Sequence, residues 1–109
     1  MPLSQYRVMW LFAMFDLPVA TKEHRRQYVQ FRKKLQSKGF TMLQFSIYAK
    51  HVPSEDAADV LRNHVRAALP PAGQVRLLMV TDHQFGKMDV FFGRKRAPVE
   101  DAPLQISLF

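Results

Sequence analysis

An unbroken apolar run, Val8-Met9-Trp10-Leu11-Phe12-Ala13-Met14-Phe15, stops abruptly at Asp16. Leu17-Pro18 follow, and then a segment loaded with Lys and Arg. The run is apolar at odd and even positions alike, so a strand over residues 7–15 is expected to sit inside a sheet. Val8, Trp10, Phe12, Met14 and Asp16 share one face of that strand; Met9, Leu11, Ala13 and Phe15 share the other. A carboxylate at the end of such a strand must be solvated, paired or metal-bound, because burying it alone costs too much.

The run is far shorter than the roughly 20 apolar residues that cross a bilayer. Arg7 precedes it, but no small-residue cleavage site of a secretory signal follows. The chain has no cysteine, which excludes a disulfide framework and a thiolate metal site and suits a reducing compartment. A cytoplasmic protein without a membrane partner is the expectation. With 109 residues, 48% of them hydrophobic, the chain is expected to form one small domain with a real core. Its 16 basic and 9 acidic residues give a net charge of +7, which favours a polyanionic partner, nucleic acid first.

Pro18 ends the strand pattern, and Thr21 is placed to cap a helix reaching about Lys38. Its core stripe is His24, Tyr28, Phe31 and Leu35, and Gly39 is the expected stop. Residues 40–52 read as extended chain, either one long bent strand or two short ones. Ser54 caps a second helix with Glu55 and Asp56 in its first turn and Ala57, Leu61, Val65 and Ala68 as apolar positions. Pro70-Pro71-Ala72-Gly73 ends it. Residues 75–81 form another strand, 82–87 a turn or irregular link, and Met88 to Phe92 a short strand. After a basic, proline-containing linker, Leu104 to Phe109 alternate again: either a strand added to a sheet edge, in this chain or another subunit, or a frayed terminus.

The order predicts an α+β fold, a ferredoxin-like βαββαβ two-layer sandwich with an extra C-terminal strand. Residues 1–93 are expected to form the ferredoxin-like domain, and 94–109 a basic linker and a C-terminal strand, for which exchange in a dimer is one of the placements open to it. Helices on one face leave the other to be covered. Trp10, Phe12 and Phe45 or Ile47 are candidates for that second face, and homodimerisation is the simplest cover.

Lys22, Arg25, Arg26, Arg32 and Lys33 occupy one helix face without an acid among them, and this favours contact with a phosphate backbone over mere solubilisation. Arg94, Lys95 and Arg96 form a second cluster, and Arg62 with Arg66 a weaker third. Such contacts bind without reading sequence. A lone Asp16 at a strand end reads by default as a cap or turn residue. Two of them across a dimer axis would suit a hard divalent cation. The histidines at 24, 51, 64 and 83 lack metal-ligand spacing; His24 reads as a core residue and His83 as a turn residue. Phe45 and Tyr48 are aromatic enough to stack on bases, but core packing is the expectation for both.

Taken in order, several segments resemble a known family. An apolar strand ends in Phe15-Asp16-Leu17-Pro18. A basic helix follows through His24-Arg25-Arg26-Gln27-Tyr28 and Arg32-Lys33-Lys34-Leu35. A Lys-Gly-Phe step then leads to Gln44-Phe45-Ser46-Ile47-Tyr48. The set is similar to the CRISPR-associated protein two family, the small subunit of the spacer-acquisition machinery. The strand Val75 to Thr81 and the apolar tail fit as well. The resemblance implies a ferredoxin-like homodimer in which Asp16 of each protomer lies near the axis, binds Mg²⁺ or Mn²⁺ and is catalytic in a metal-dependent endonuclease acting on RNA or DNA. It also implies a scaffold role in antiviral defence, clamped by the CRISPR integrase along double-stranded DNA, with single-stranded RNA as a further ligand. Phe15 stands where many relatives carry Tyr, so a phenolic hydroxyl is absent beside the acid. The alternative independent of the resemblance is a non-catalytic ferredoxin-like RNA-binding module, which requires exposed aromatics on the sheet face.

Overall fold

The apolar run becomes the interior strand β1, Met9–Asp16, so Asp16 is its last residue rather than the first residue beyond it. The structure, a computed structural model, describes residues 8–103. After β1 come α1 (Lys22–Ser37), β2 (Thr41–Gln44), β3 (Ile47–Val52), α2 (Glu55–Ala67), β4 (Gln74–Thr81), α3 (Asp82–Gly86), β5 (Val90–Phe92) and β6 (Lys95–Ala97). The first four strands form one antiparallel sheet in the order β2-β3-β1-β4. With two long helices on one face, this is the expected α+β ferredoxin-like sandwich. Among the described residues, no helix is long and apolar enough to cross a membrane.

Local chemistry fixes the helices. The Thr21 hydroxyl accepts from the His24 backbone N–H at 3.0 Å and starts α1. Gly39, at φ +90°, takes the left-handed turn that ends it. The Ser54 hydroxyl caps α2 by accepting from the Ala57 N–H at 3.1 Å, and Glu55 and Asp56 complement the positive end of the helix. Phe31 and Leu35 of α1 and Ala58, Leu61 and Val65 of α2 bury against Leu11, Ala13, Phe15, Tyr48 and Val52. This is the main core, and it takes the odd-numbered face of β1.

The even-numbered face carries a second, smaller cluster of Trp10, Ala49 and Phe85, with Phe12, Leu43, Val80, Met88 and Val99 packed on it. Here the structure corrects two expectations. Residues 82–86 are a short helix, not an irregular link. Thr81 and Gln84 form a reciprocal capping box at its start, and its Phe85 is buried. Trp10 is consequently covered by its own chain. The uncovered part of this face lies toward the Asp16 end, where Leu78, opposite Phe12, is 48% exposed.

Residues 40–52 resolve into two strands, β2 and β3, joined at Phe45-Ser46. Ser46 is the one non-glycine with positive φ (62°) among the described residues. β5 and β6 pair only with each other, as a ribbon outside the main sheet. Arg94 lies in its turn, and Lys95 and Arg96 lie on β6. The strand expected over 104–109 falls outside the described residues.

Candidate functional site

β1 delivers Asp16 to the sheet end where β3 has already turned away. On one side the pairing register sets Asp16 opposite Gln74 of β4. On the other, the backbone N–H of Phe15 donates to the Ser46 carbonyl at 3.0 Å, which holds the β2–β3 turn against the strand end. Asp16 is exposed and forms no ion pair among the described residues. It opens into a hollow of about 300 Å³ lined also by Met14, Phe45, Ser46, Ile47, Gln74 and Arg76. Arg76 lies opposite Met14 on the same sheet face and donates from Nε to the Gln74 Oε1 at 3.3 Å.

The β2–β3 turn is held from behind as well. The Tyr28 and Ser46 hydroxyls pair at 3.1 Å, tying α1 to the turn. A non-glycine residue in the left-handed region costs on the order of 1–3 kcal/mol and persists only where its surroundings enforce it. The bonds to Phe15 and Tyr28 are that enforcement, and they leave Phe45 82% exposed at the rim of the hollow. The expectation of core packing for Phe45 is thus overturned. For Tyr48 it holds: the side chain is buried, and burial pushes its phenol pKa up, partly opposed by the nearby Arg32 charge.

None of the cations read from the sequence lines this hollow. On α1, Arg26 is tied to Glu23, its Nε donating to Oε1 at 3.0 Å, and Glu23 also accepts from Gln27. The hydrogen bond to Arg26 lowers the Glu23 pKa, and the same bond raises that of Arg26. The stripe therefore does contain an acid, at i and i+3. Arg25 donates to the carbonyls of Val19 at 3.1 Å and Ala20 at 3.4 Å, fastening the approach to the helix. Lys22, Arg32 and Lys33 form no ion pair among the described residues. In the ribbon, Arg96 pairs with Asp89 at 2.8 Å, while Arg94 and Lys95 are exposed. Arg66 is engaged by Asn63 at 3.0 Å.

The functional candidates that sequence reasoning misses are Gln74 and Arg76; Phe45 is named there for base stacking but expected in the core, and its exposure is the difference. Gln74 lies 58 positions after Asp16 (74 − 16), and only the strand register brings the two together. No group of three or more His, Cys, Asp or Glu suited to a metal occurs among the described residues. His24 is partly buried on the core side of α1, with a buried Nδ1 that has no hydrogen-bond partner among the described residues.

Comparison with known proteins identifies the family of the chain. The sequence model of the family described as CRISPR associated protein Cas2 matches residues 9–88. A protein of Parvibaculum lavamentivorans, named CRISPR-associated endoribonuclease Cas2, is 46% identical over 93% of this chain and 100% of its own length. A protein of the same name from Paracidovorax avenae is 43% identical over 98% of this chain and 99% of its own. Another from Flavobacterium psychrophilum is 40% identical over 98% and 93%.

Proposed function

Because this chain belongs to the CRISPR-associated protein Cas2 family, we propose that it serves CRISPR spacer acquisition as a nucleic-acid-binding homodimer with metal-dependent endonuclease activity on RNA centred on Asp16. The observation that carries this reading is the placement of Asp16: an exposed carboxylate without an ion pair among the described residues, at the mouth of a hollow on the part of the sheet face that α3 leaves uncovered. The relatives named as endoribonucleases supply the reaction class.

The donors around that hollow suit the implied ion. The Asp16 carboxylate, Gln74 amide and Ser46 hydroxyl are all oxygen donors, which fit Mg²⁺ or Mn²⁺ and not a soft metal. One carboxylate is too few for an all-protein cage, but Mg²⁺ commonly takes one or two carboxylates and completes its shell with waters and substrate phosphate. Asp16 from each of two protomers is the donor set this reading assigns. When bound, such an ion supplies Lewis-acid polarisation of a phosphoryl oxygen and a more acidic water. The chain's own residues do the positioning. Arg76 meets a phosphate beside Asp16, and Lys22, Arg25, Arg32 and Lys33 hold the backbone further along.

Phe12, Met14, Ile47 and Leu78 form the apolar side of the same open face, and a second copy is the cover we assign to it. In the acquisition complex the basic surfaces of α1 and of the β5–β6 ribbon lie along duplex DNA beside the integrase.

The test is cleavage of single-stranded RNA and of duplex DNA by wild type and Asp16→Asn across a Mg²⁺ and Mn²⁺ titration. Metal-dependent cutting by wild type, lost in the variant, is the expected result. Equal cutting by both would remove Asp16 from the chemistry. No cutting by wild type would leave the non-catalytic scaffold role in spacer acquisition.

A further inference from the structure

On the helix side of the sheet, at the end away from Asp16, a groove of about 370 Å³ runs between the end of α1, the end of β3 and the middle of α2. Its floor is aliphatic, built from Ala57, Val60 and Leu61. Val60 is 56% exposed and lies off the buried stripe of α2, which is Ala58, Leu61 and Val65. Lys38, Lys50 and His64 stand around that floor, and no carboxylate lines it among the described residues. Lys50 is placed by the backbone. It lies opposite Leu11 in the strand register, so its stem leaves β3 on the helix side. A Cβ on Gly39 would come within 3.1 Å of the Lys50 Cε and Nζ, and Gly39, at φ +90°, carries none. The lysine therefore crosses the end of α1, where a cation suits the helix dipole. Lys38 and Lys50 form no ion pair among the described residues.

We propose that this groove receives a short acidic segment of a partner protein, with an aliphatic side chain against Val60 and Leu61 and flanking carboxylates on Lys38 and Lys50. Charge complementarity selects the occupant: the rim is basic and carries no acid of its own. An apolar centre inside a polar rim is the composition of a protein–protein contact. Nucleic acid is the competing occupant. No Phe, Tyr or Trp lines the groove for a base to stack on, and no Arg offers its fork to a phosphate. A phosphate backbone also leaves the aliphatic floor wet, whereas a Leu or Val side chain dries it. The helices lie between this groove and the open sheet face, so a second copy covering that face leaves the groove accessible. The docking site does not depend on Asp16 or on cleavage.

The probe is a fluorescein-labelled peptide, Glu-Glu-Leu-Gln-Gln-Leu-Glu-Glu, titrated against the full-length protein by anisotropy. Saturable binding is expected, with carbodiimide joining the peptide carboxylates to Lys38 or Lys50. Lys38→Gln with Lys50→Gln should weaken binding about 10-fold, and Val60→Ser about 3- to 10-fold. Serine in place of both peptide leucines should weaken it to a similar degree. Duplex DNA affinity should stay within about 2-fold on Val60→Ser, because that change removes no phosphate contact. Equal binding of the leucine and serine peptides would reduce the effect to general attraction by a basic protein and overturn the site. So would a larger loss from Lys22→Gln with Lys33→Gln than from the Lys38 and Lys50 pair, or no saturation by about 1 mM peptide. Duplex DNA that loses more affinity than the peptide does on Val60→Ser would give the groove to nucleic acid instead.

Discussion

Phe85 lies flat on Trp10, ring centroids 3.9 Å apart and planes inclined by 9°. A five-residue helix is too short to be stable by itself, so this stack, with the capping box behind it, is what seats α3 on the sheet. The Trp10 indole N–H donates to the Asp82 Oδ1 at 2.8 Å, and the Asp82 backbone N–H donates to the Val8 carbonyl at 2.9 Å. The first turn of α3 is therefore fastened to the start of β1, and the helix shields one half of the face that Asp16 leaves open.

Removing the ring should uncouple that lid. Phe85→Ala is expected to cost about 3–5 kcal/mol in urea unfolding, as large-to-small changes at buried aromatics do. Trp10 is the only tryptophan in the chain, so its emission should shift to the red in the folded variant. An unshifted spectrum with wild-type stability would show that α3 is not held by the stack.

His51 supplies a pH dependence from the same cluster. It is buried on β3 and packs T-shaped with Trp10, at a centroid distance of 5.0 Å. Its Nε2 has no hydrogen-bond partner among the described residues and stands 3.8 Å from the Asp82 Oδ1. Burial lowers its pKa below the ordinary 6.5; Asp82 opposes the shift and Lys50 adds to it. The folded state therefore favours the neutral ring. Its contribution to stability is complete above about pH 6.5 and declines as the pH falls toward the lowered value, because the unfolded chain takes up the proton first. The melting temperature should fall between pH 7.5 and 5.5 with a slope that His51→Phe reduces. An unchanged slope in the variant would assign the dependence elsewhere.

Gly73 links the loop before β4 to the site itself. It sits at φ +94°, and a Cβ there would come within 2.7 Å of both the Asp16 carbonyl oxygen and the Leu17 Cδ2. Gly73→Ala is therefore expected to destabilise by more than about 1 kcal/mol and to displace the backbone that carries Asp16. Nucleic-acid cleavage should drop with it even below the unfolding temperature. Wild-type melting and cleavage together would contradict the close approach.

These residues show where sequence patterns inform and where they stop. β1, α1 and α2 are legible because an apolar run, a 3.6-residue stripe and the caps Thr21 and Ser54 all point the same way. α3 is hidden because it is too short for periodicity; its one signal is Thr81 three residues before Gln84. The turn at Ser46 is hidden because serine does not advertise a positive φ, so Phe45 reads as a strand residue. Asp16 is legible as a stranded acid, but Gln74 and Arg76 join it only through register. The stripe on α1 is legible as charge, yet which cations are free is decided by rotamers around Glu23.

That last distinction can be measured. Arg26 is held by Glu23, and Arg25 by the Val19 and Ala20 carbonyls, whereas Lys22 and Lys33 form no ion pair among the described residues. A cation already engaged must give up its partner before it neutralises a phosphate, so the two pairs should contribute unequally to binding. For duplex DNA, each lost phosphate contact lowers the slope of log K against log salt by about 0.9. Lys22→Gln with Lys33→Gln should reduce the slope by about 1.8, two such contacts. Arg25→Gln with Arg26→Gln should reduce it less, while loosening the start of α1 enough to lower the melting temperature. Equal slope changes for the two double variants would mean that the Glu23 pairing gives way on the DNA, and a slope unchanged by either would remove α1 from the binding surface.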